Sequence, residues 1–281
     1  MMLSLEKVYS QANFSRPLGG KAVALSGNTE NFRDIHALFH NQAGLAFMEK
    51  SAIALTLERR FMLAGVQHIG LGFATPTSGG TFGVQVQLFG NKSYNEGKVG
   101  LAYARKLMEE VSIGGQIDYM FVQVEEGGSE GVFSFEAGIN AQLLEKLKVG
   151  FHVFSPIPVS FSNDYKMPTI LRLGLQYSFS DNLSLLAGAE KDMEFRENLK
   201  FGLEYMYAKV VAFRLGLQTY PSGVSFGSIT IHRPSMLFDC IRGSIFLTTP
   251  AIDAWIGTVM RPSASAIFCP SLTKSPTLIR G

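Results

Sequence analysis

Along most of the chain, apolar and polar residues alternate with a period of two. The clearest stretch runs from Ile170 to Gln218. At its start, from residue 171 to residue 176, every odd-numbered residue is leucine and every even-numbered residue is Arg, Gly or Gln. Such alternation is typical of a β-strand whose two faces meet different surroundings. The pattern persists from about residue 52 to residue 232 and therefore predicts a series of about twelve amphipathic strands.

The predicted strands are separated by short segments without alternation. We place them near residues 52–60, 64–74, 81–90, 98–107, 111–123, 132–142, 147–154, 168–179, 183–191, 198–207, 210–219 and 223–232. One face of each strand is apolar with aromatic ends, and the other carries glycine, glutamine and charge. A soluble sandwich would bury the apolar face in a core, whereas a membrane barrel would turn it towards lipid.

The lengths of the connections favour the barrel. Tight turns follow even-numbered strands, at residues 77–80, 108–110, 144–146, 180–182 and 208–210, and longer connections follow several odd-numbered strands, at 91–97, 125–131, 155–167 and 192–197. Outer-membrane barrels combine short periplasmic turns with longer outer loops. We therefore predict an all-β, antiparallel up-and-down transmembrane β-barrel.

Composition agrees with this fold class. Only 17% of the 281 residues are charged, against roughly 25% in soluble domains, and 29 residues are glycine. The net charge of +2 has no basic cluster, which argues against a nucleic-acid partner. No apolar run approaches the ~18 residues of a membrane helix, and two cysteines exclude a disulfide framework. The N-terminus lacks the apolar core of a signal peptide, so we expect the leader to be missing.

The segment before the first strand carries a family resemblance. Residues 15–25 (SRPLGGKAVAL) and 37–46 (ALFHNQAGLA) resemble the opening of the PorV/PorQ-like outer-membrane proteins of Bacteroidetes, which are relatives of the FadL long-chain fatty-acid transporters. In that family an R-x-x-G-G-A-x-V-A-L stretch leads to N-P-A-G-L-A and then to the first strand. Lys21 and Gln42 stand where the family has a small residue and a proline.

The resemblance implies a barrel of about 12–14 strands with a short N-terminal plug tucked into or under the lumen. It gives the plug motif as Arg16, Gly19, Gly20, Asn41 and Gly44. It also implies an outer-membrane location in contact with the lipid bilayer. The family's activities are uptake of hydrophobic small molecules and an accessory role in type IX secretion, so the implied partners are such a molecule or the secretion components.

Three regions follow from these observations: a plug over residues 1–50, the barrel over 51–232 and an irregular tail over 233–281. The alternation stops near Pro234, and the tail holds Trp255, both cysteines and five of the 11 prolines. Proline is confined to strand edges and bulges, so the tail is unsuited to central strands. We expect a frameshifted or mispredicted C-terminus.

Candidate chemistry outside the barrel pattern is sparse. His36 and His40 have the i, i+4 spacing of a metal pair, but no third ligand is evident, so we predict no metal site. The Gly19-Gly20-Lys21 stretch lacks the spacing of a phosphate loop. No Ser–His–acid or Cys–His set can be assembled. We therefore predict a non-catalytic protein without a cofactor.

The inward faces carry charges that permit a register prediction. A three-residue turn at 180–182 pairs residues whose numbers sum to 362, which places Arg172 opposite Glu190. A turn at 208–210 gives sums of 418 and places Glu204 opposite Arg214. We predict that these four residues form a charge ladder in the lumen.

The charges predicted to face inward are Glu58, Asp118, Glu136, Lys148, Arg172, Glu190, Lys200, Glu204 and Arg214. They form either a permeation path or a salt-bridged lumen that holds the barrel shut, and we favour the second interpretation. Two alternatives to a transport or secretion role stay open at this point. They are a structural porin-like barrel and a soluble lipid-binding β-sandwich.

Overall fold

The computed structural model of the chain describes residues 13–59, 66–125, 128–157, 159–162, 165–230 and 245–248. The tail predicted over 233–281 lies outside these residues except for 245–248. The predicted end of the first strand, at residue 60, and the predicted start of the second, at residue 64, also lie outside the described residues.

Strands dominate the described part of the chain. They are β1 (Ala52–Arg59), β2 (Gln67–Pro76), β3 (Thr81–Gly90), β4 (Tyr94–Lys106), β5 (Val111–Val124), β6 (Gly128–Leu144), β7 (Leu147–Phe154), β8 (Ser160–Ser162), β9 (Tyr165–Lys166), β10 (Ile170–Ser180), β11 (Leu183–Asp192), β12 (Asn198–Tyr207), β13 (Val211–Thr219), β14 (Ser222–Thr230) and β15 (Ile245–Thr248). All except β8 and β9 form one 13-stranded sheet in which every strand pairs with the next along the chain. The predicted fold class, an up-and-down antiparallel barrel, is confirmed.

Two interruptions mark this order. β8 and β9 form a separate two-stranded sheet in the connection between β7 and β10, which are direct neighbours in the large sheet. Among the described residues, no ladder joins β1 to β14 or β15.

Several predicted connections are wrong in length. β4 begins at Tyr94 and β6 at Gly128, so the segments 91–97 and 125–131 are largely strand. Their residues pair across the sheet, for example Asn95 with Gln123. These extensions carry polar residues on both faces, which is why no alternation reveals them. The turn predicted at 180–182 is tighter, because a bulge at Phe179 lets Ser180 pair with Leu183.

The two faces of the sheet differ as predicted. The outward side chains of Leu173, Phe201 and Phe213 are 45%, 52% and 50% exposed, whereas the inward Gly202 and Gly216 are buried. Exposed aliphatic and aromatic side chains occur on nearly every strand of the large sheet. A soluble sandwich would bury these side chains between two sheets, so the outward face is a lipid-facing surface.

The apolar core lies in the lumen and is built largely by the segment before β1. We call residues 13–48 the plug. It contains one α-helical turn, α1 (Gly20–Ala24), and 3-10 turns at Asn13–Ser15, Ile35–Phe39 and Gln42–Phe47. Among its buried residues are Leu18, Leu25, Leu38 and Leu45. In the described residues, no helix has the length and apolar character needed to cross a bilayer.

Candidate functional site: the plugged lumen

The barrel wall accommodates the plug through a belt of inward glycines. Every strand of the large sheet from β2 to β13 except β4 contributes at least one to this belt: Gly72, Gly83, Gly114, Gly138, Gly150, Gly174, Gly188, Gly202 and Gly216. A Cβ atom built on Gly216 would lie 2.5 Å from the backbone nitrogen of Ser26, and one on Gly188 would lie 2.5 Å from Oδ1 of Asn28. At every one of these positions except Gly202, a Cβ atom would lie less than 3.0 Å from a plug atom, so a larger side chain there would displace part of the plug.

One residue of the plug motif fastens the plug to this belt, and a second allows a close contact within the plug. Asn41 is fully buried, and its Nδ2 donates to the carbonyl oxygens of Glu30 at 2.8 Å and of Ile139, on β6, at 3.2 Å. Its Oδ1 accepts from the backbone N–H of Ala43 and begins the last 3-10 turn. Gly44 has no room for a Cβ atom, which would overlap the carbonyl oxygen of Phe32. These contacts give a physical reason for an Asn-x-Ala-Gly sequence.

The other residues of the motif lie at the start of α1. Gly19 has a φ of +96°, in a region that L side chains rarely adopt, and it precedes the first residue of α1, Gly20. Lys21 pairs with Asp34 at 3.2 Å. Arg16 is exposed, unlike Gly19, Asn41 and Gly44. The motif residues therefore lie in two turns, Gly19 and Gly20 in one and Asn41 and Gly44 in the other, and Arg16 lies on the surface.

A charged network crosses the lumen beside the plug. Glu136, on β6, contacts Lys98 of β4, accepts a hydrogen bond from Nε2 of Gln42 at 2.8 Å and lies 3.1 Å from Nε2 of His152. Lys98 Nζ lies 3.7 Å from Oδ2 of Asp118, on β5. All five residues are almost fully buried. Gln42 is the plug's contribution to this network.

Sequence reasoning missed part of this network. It identified Asp118 and Glu136 as inward charges but omitted Lys98, because Lys98 stood at the edge of a predicted loop. The actual start of β4 at Tyr94 places Lys98 well inside the strand, opposite Met120. His152 has no formal charge at neutral pH, so it was not among the predicted inward charges.

The four residues of the predicted ladder form two separate groups. Arg172 lies opposite Glu190 with an Nε–Oε2 distance of 2.6 Å, and Lys200 also binds Glu190 at 2.9 Å. Glu204 lies opposite Arg214 and forms an ion pair with it. Arg172 additionally donates from Nη2 to the carbonyl oxygen of Ser15 at 2.5 Å, so the first group also holds the plug.

A second apolar cluster, separate from the core around the plug leucines, lies at one end of the lumen. We call this end, where the chain crosses from β7 to β10, the loop end, and the opposite end, with the tight turns, the turn end. The cluster consists of Phe14 from the plug together with Met120, Phe154, Met167 and Ile170 from the wall. The charged network begins directly next to it, because Lys98 Nζ lies 5.3 Å from the ring centroid of Phe154.

The plug end of the cluster is closed by an aromatic contact. Phe14 stacks on Phe161, with ring centroids 5.8 Å apart and an angle of 20° between the rings. Phe161 belongs to the crossing between β7 and β10. The pair therefore joins the first described residues of the plug to the loop end.

The two plug histidines do not act as a metal pair in this geometry. Nε2 of His40 donates to the carbonyl oxygen of Leu18 at 3.0 Å, and burial lowers the pKa of His40 to about 3 despite that hydrogen bond. No group of three or more His, Cys, Asp or Glu side chains in the described part of the chain is arranged to hold a metal ion.

Comparison with known proteins shows the same fold. Neither a protein-family model nor a curated protein matches the sequence. Among solved structures, the CymD monoaromatic hydrocarbon channel matches with a TM-score of 0.61 and 14% identity, over 78% of this chain and 90% of CymD. The toluene transporter TodX of Pseudomonas putida matches with a TM-score of 0.55 and 11% identity, over 80% and 90%. A FadL homologue of Pseudomonas aeruginosa matches with a TM-score of 0.53 and 12% identity, over 82% and 87%. The chain thus has the fold of FadL-related outer-membrane barrels.

Proposed function

We propose that this protein is an outer-membrane channel that passes hydrophobic small molecules across the lipid bilayer. The observation that carries the proposal is the apolar cluster at the loop end. A lumen that served only water-soluble solutes would gain nothing from burying Met120, Phe154 and Ile170 on its inward face. Apolar side chains in a concave site offer an environment that a hydrophobic molecule prefers to water.

The proposal gives the plug a gating role. Phe14 fills the space between the wall residues of the cluster, so a passing molecule must take its place. The charged network around Glu136 borders the cluster on the path through the lumen. Because Gln42 of the plug donates to Glu136, a molecule can pass this network only when the plug moves. The names of the CymD and TodX structures, a hydrocarbon channel and a toluene transporter, support the same class of transported molecule.

A transport assay with matched variants tests the proposal. The protein is reconstituted into vesicles that contain lipopolysaccharide, which slows the unassisted passage of apolar molecules, and entry of radiolabelled toluene is compared with protein-free vesicles of the same composition. Met120→Gln places a polar side chain of similar length in the cluster, whereas Met193→Gln changes a 59% exposed methionine between β11 and β12. We expect the protein to accelerate entry, Met120→Gln to slow it and Met193→Gln to leave it unchanged. Entry at the protein-free rate, or equal rates in both variants, would overturn the proposal.

The second candidate is an accessory role in type IX secretion, as the resemblance to PorV and PorQ implies. The filled lumen favours it, because a protein that docks partners needs no open path. The crossing between β7 and β10, with its β8–β9 hairpin, is the surface that such partners would use. Deleting this hairpin would abolish secretion if this second candidate is correct.

A further inference from the structure

A small cavity opens at the turn end of the lumen, on the far side of the plug from the apolar cluster. Its volume is about 210 Å³. Three cationic side chains line it, namely Lys21 and Arg33 of the plug and Lys148 of β7, and Leu25, Phe32 and Leu186 supply apolar wall. This volume is below the roughly 300–1,000 Å³ of pockets for drug-sized ligands, so the cavity suits a small group.

The acidic residues of this cavity are already paired. Asp34 binds Lys21 at 3.2 Å, and Glu204 binds Arg214. In the part of the chain that the structure describes, no carboxylate lies within ion-pair distance of Arg33 or Lys148. Two positive charges therefore face the cavity without an anionic partner.

Arg33 is held in place by neutral groups. Its Nε donates to Oδ1 of Asn140 at 3.0 Å and its Nη1 to Oε1 of Gln142 at 2.7 Å. The guanidinium lies 3.8 Å from the ring centroid of Phe47. Its Nη2 is buried and has no hydrogen-bond partner among the described residues. A buried donor of a charged group is costly when it is left unpaired, which points to a ligand that accepts from it.

We infer that this cavity binds an oxyanion, a phosphate or carboxylate group, between Arg33 and Lys148. The planar guanidinium supplies directed donors to oxygen, and the lysine supplies a mobile point charge. Lys21, although paired with Asp34, adds a third positive charge to the rim. The oxyanion is either a free small anion or the charged end of an amphipathic molecule whose apolar part lies along Leu25 and Leu186.

The inference does not depend on the transport proposal, and its test measures binding alone. Full-length protein in non-ionic detergent is titrated calorimetrically with inorganic phosphate and with acetate, at constant ionic strength set by chloride. We expect saturable binding that Lys148→Gln weakens by about tenfold or more, since charge-assisted hydrogen bonds contribute roughly 1.5–3 kcal/mol. The matched control is Lys146→Gln, which removes an exposed lysine from the adjoining turn.

The two sources of the anion are separated by chain length. Octanoate that binds much more tightly than acetate, with no binding of octanol, identifies the charged end of an amphipathic molecule, whereas equal affinity of octanoate and acetate identifies a free anion. Either result supports the site. Arg33→Lys, which keeps the positive charge but loses the planar set of N–H donors, should weaken phosphate binding as well. Absence of saturable phosphate and acetate binding, or equal losses in Lys148→Gln and Lys146→Gln, would overturn the inference.

Discussion

The contact between Asn41 and the glycine belt makes a sharp prediction about Gly138→Ala. A Cβ atom at position 138 would overlap Oδ1 of Asn41 and lie 2.9 Å from its Cγ. A flexible side chain on the surface would swing aside. Asn41 is fully buried, and its Nδ2 is held by the carbonyl oxygens of Glu30, Ile139 and Phe151. Asn41 therefore cannot move aside while it keeps these hydrogen bonds, and the substitution breaks them.

The size of the effect follows from the bonds that are lost. Two of these acceptors, the carbonyl oxygens of Ile139 and Phe151, belong to the wall, and each hydrogen bond contributes about 0.5–1.5 kcal/mol net, so their loss removes about 1–3 kcal/mol from plug docking. With about 1.4 kcal/mol for each factor of ten, this loss corresponds to a roughly 5- to 140-fold larger population of undocked plug. The barrel strands keep their ladders, so the change should be confined to residues 13–48.

Hydrogen exchange of backbone amides measures this population directly. The protein is held in detergent micelles, and exchange in plug peptides is compared with exchange in β12 and β13. The control is Gly115→Ala on β5, where a Cβ atom would meet only the carbonyl oxygen of Glu136 at 3.5 Å. We expect faster exchange of the plug in Gly138→Ala and wild-type exchange in Gly115→Ala. Equal exchange of the plug in both variants would refute the account of how the belt holds the plug.

Three further predictions concern charge. Arg214→Met should destabilise the barrel to urea by about 1.5–3 kcal/mol by leaving the partly buried Glu204 without its ion-pair partner, and adding Glu204→Gln should restore much of that loss. Lys98→Met should lower the urea midpoint more than Lys106→Met on the same strand, because Lys106 is exposed whereas Lys98 neutralises a buried network. Burial lowers the pKa of His40 to about 3, below its ordinary 6.5. The unfolded plug then binds the additional proton, so plug protection should fall by up to about 1.4 kcal/mol per pH unit as the pH drops from 6.5 towards 3.

Each of these predictions has a clear contrary result. A double variant no more stable than Arg214→Met would show that the penalty does not come from the unpaired carboxylate. Equal midpoints for the two lysine variants would show that the network around Lys98 is not stabilising. In the third case, His40→Gln should remove most of the pH dependence, and an unchanged dependence would assign it to other groups.

The strands were predictable from sequence because their signal is local. Alternation along ten residues fixes both the strand and its faces, and a tight turn fixes the register of the two strands it joins. Arg172 and Glu190 are therefore placed opposite one another by residue numbers alone. The same logic fails beyond the membrane-facing length of a strand, as in the first residues of β4 and β6, where neither face is required to be apolar.

The interior was harder to predict because its contacts join distant parts of the chain. Lys98, Glu136 and Gln42 meet on β4, β6 and the plug, and no short-range pattern links them. The inward glycines are visible in the sequence, but their role depends on the path of the plug across them. The one usable signal was the plug motif itself, and its Asn41 and Gly44 occupy the tightest contacts with the wall and within the plug.

The central claim is that the sheet spans a bilayer with its apolar face in lipid and its plugged face inside. Spin labels at successive positions of β12, from Lys200 to Tyr207, test it most directly after Cys240 and Cys269 are replaced by serine. In reconstituted vesicles, collision with oxygen, which concentrates in lipid, should be high at odd-numbered positions and low at even-numbered ones. Collision with a water-soluble nickel chelate should stay low at the odd-numbered positions in the middle of the strand. A uniform profile, or nickel access at Phe201 and Leu203, would contradict the membrane-spanning barrel.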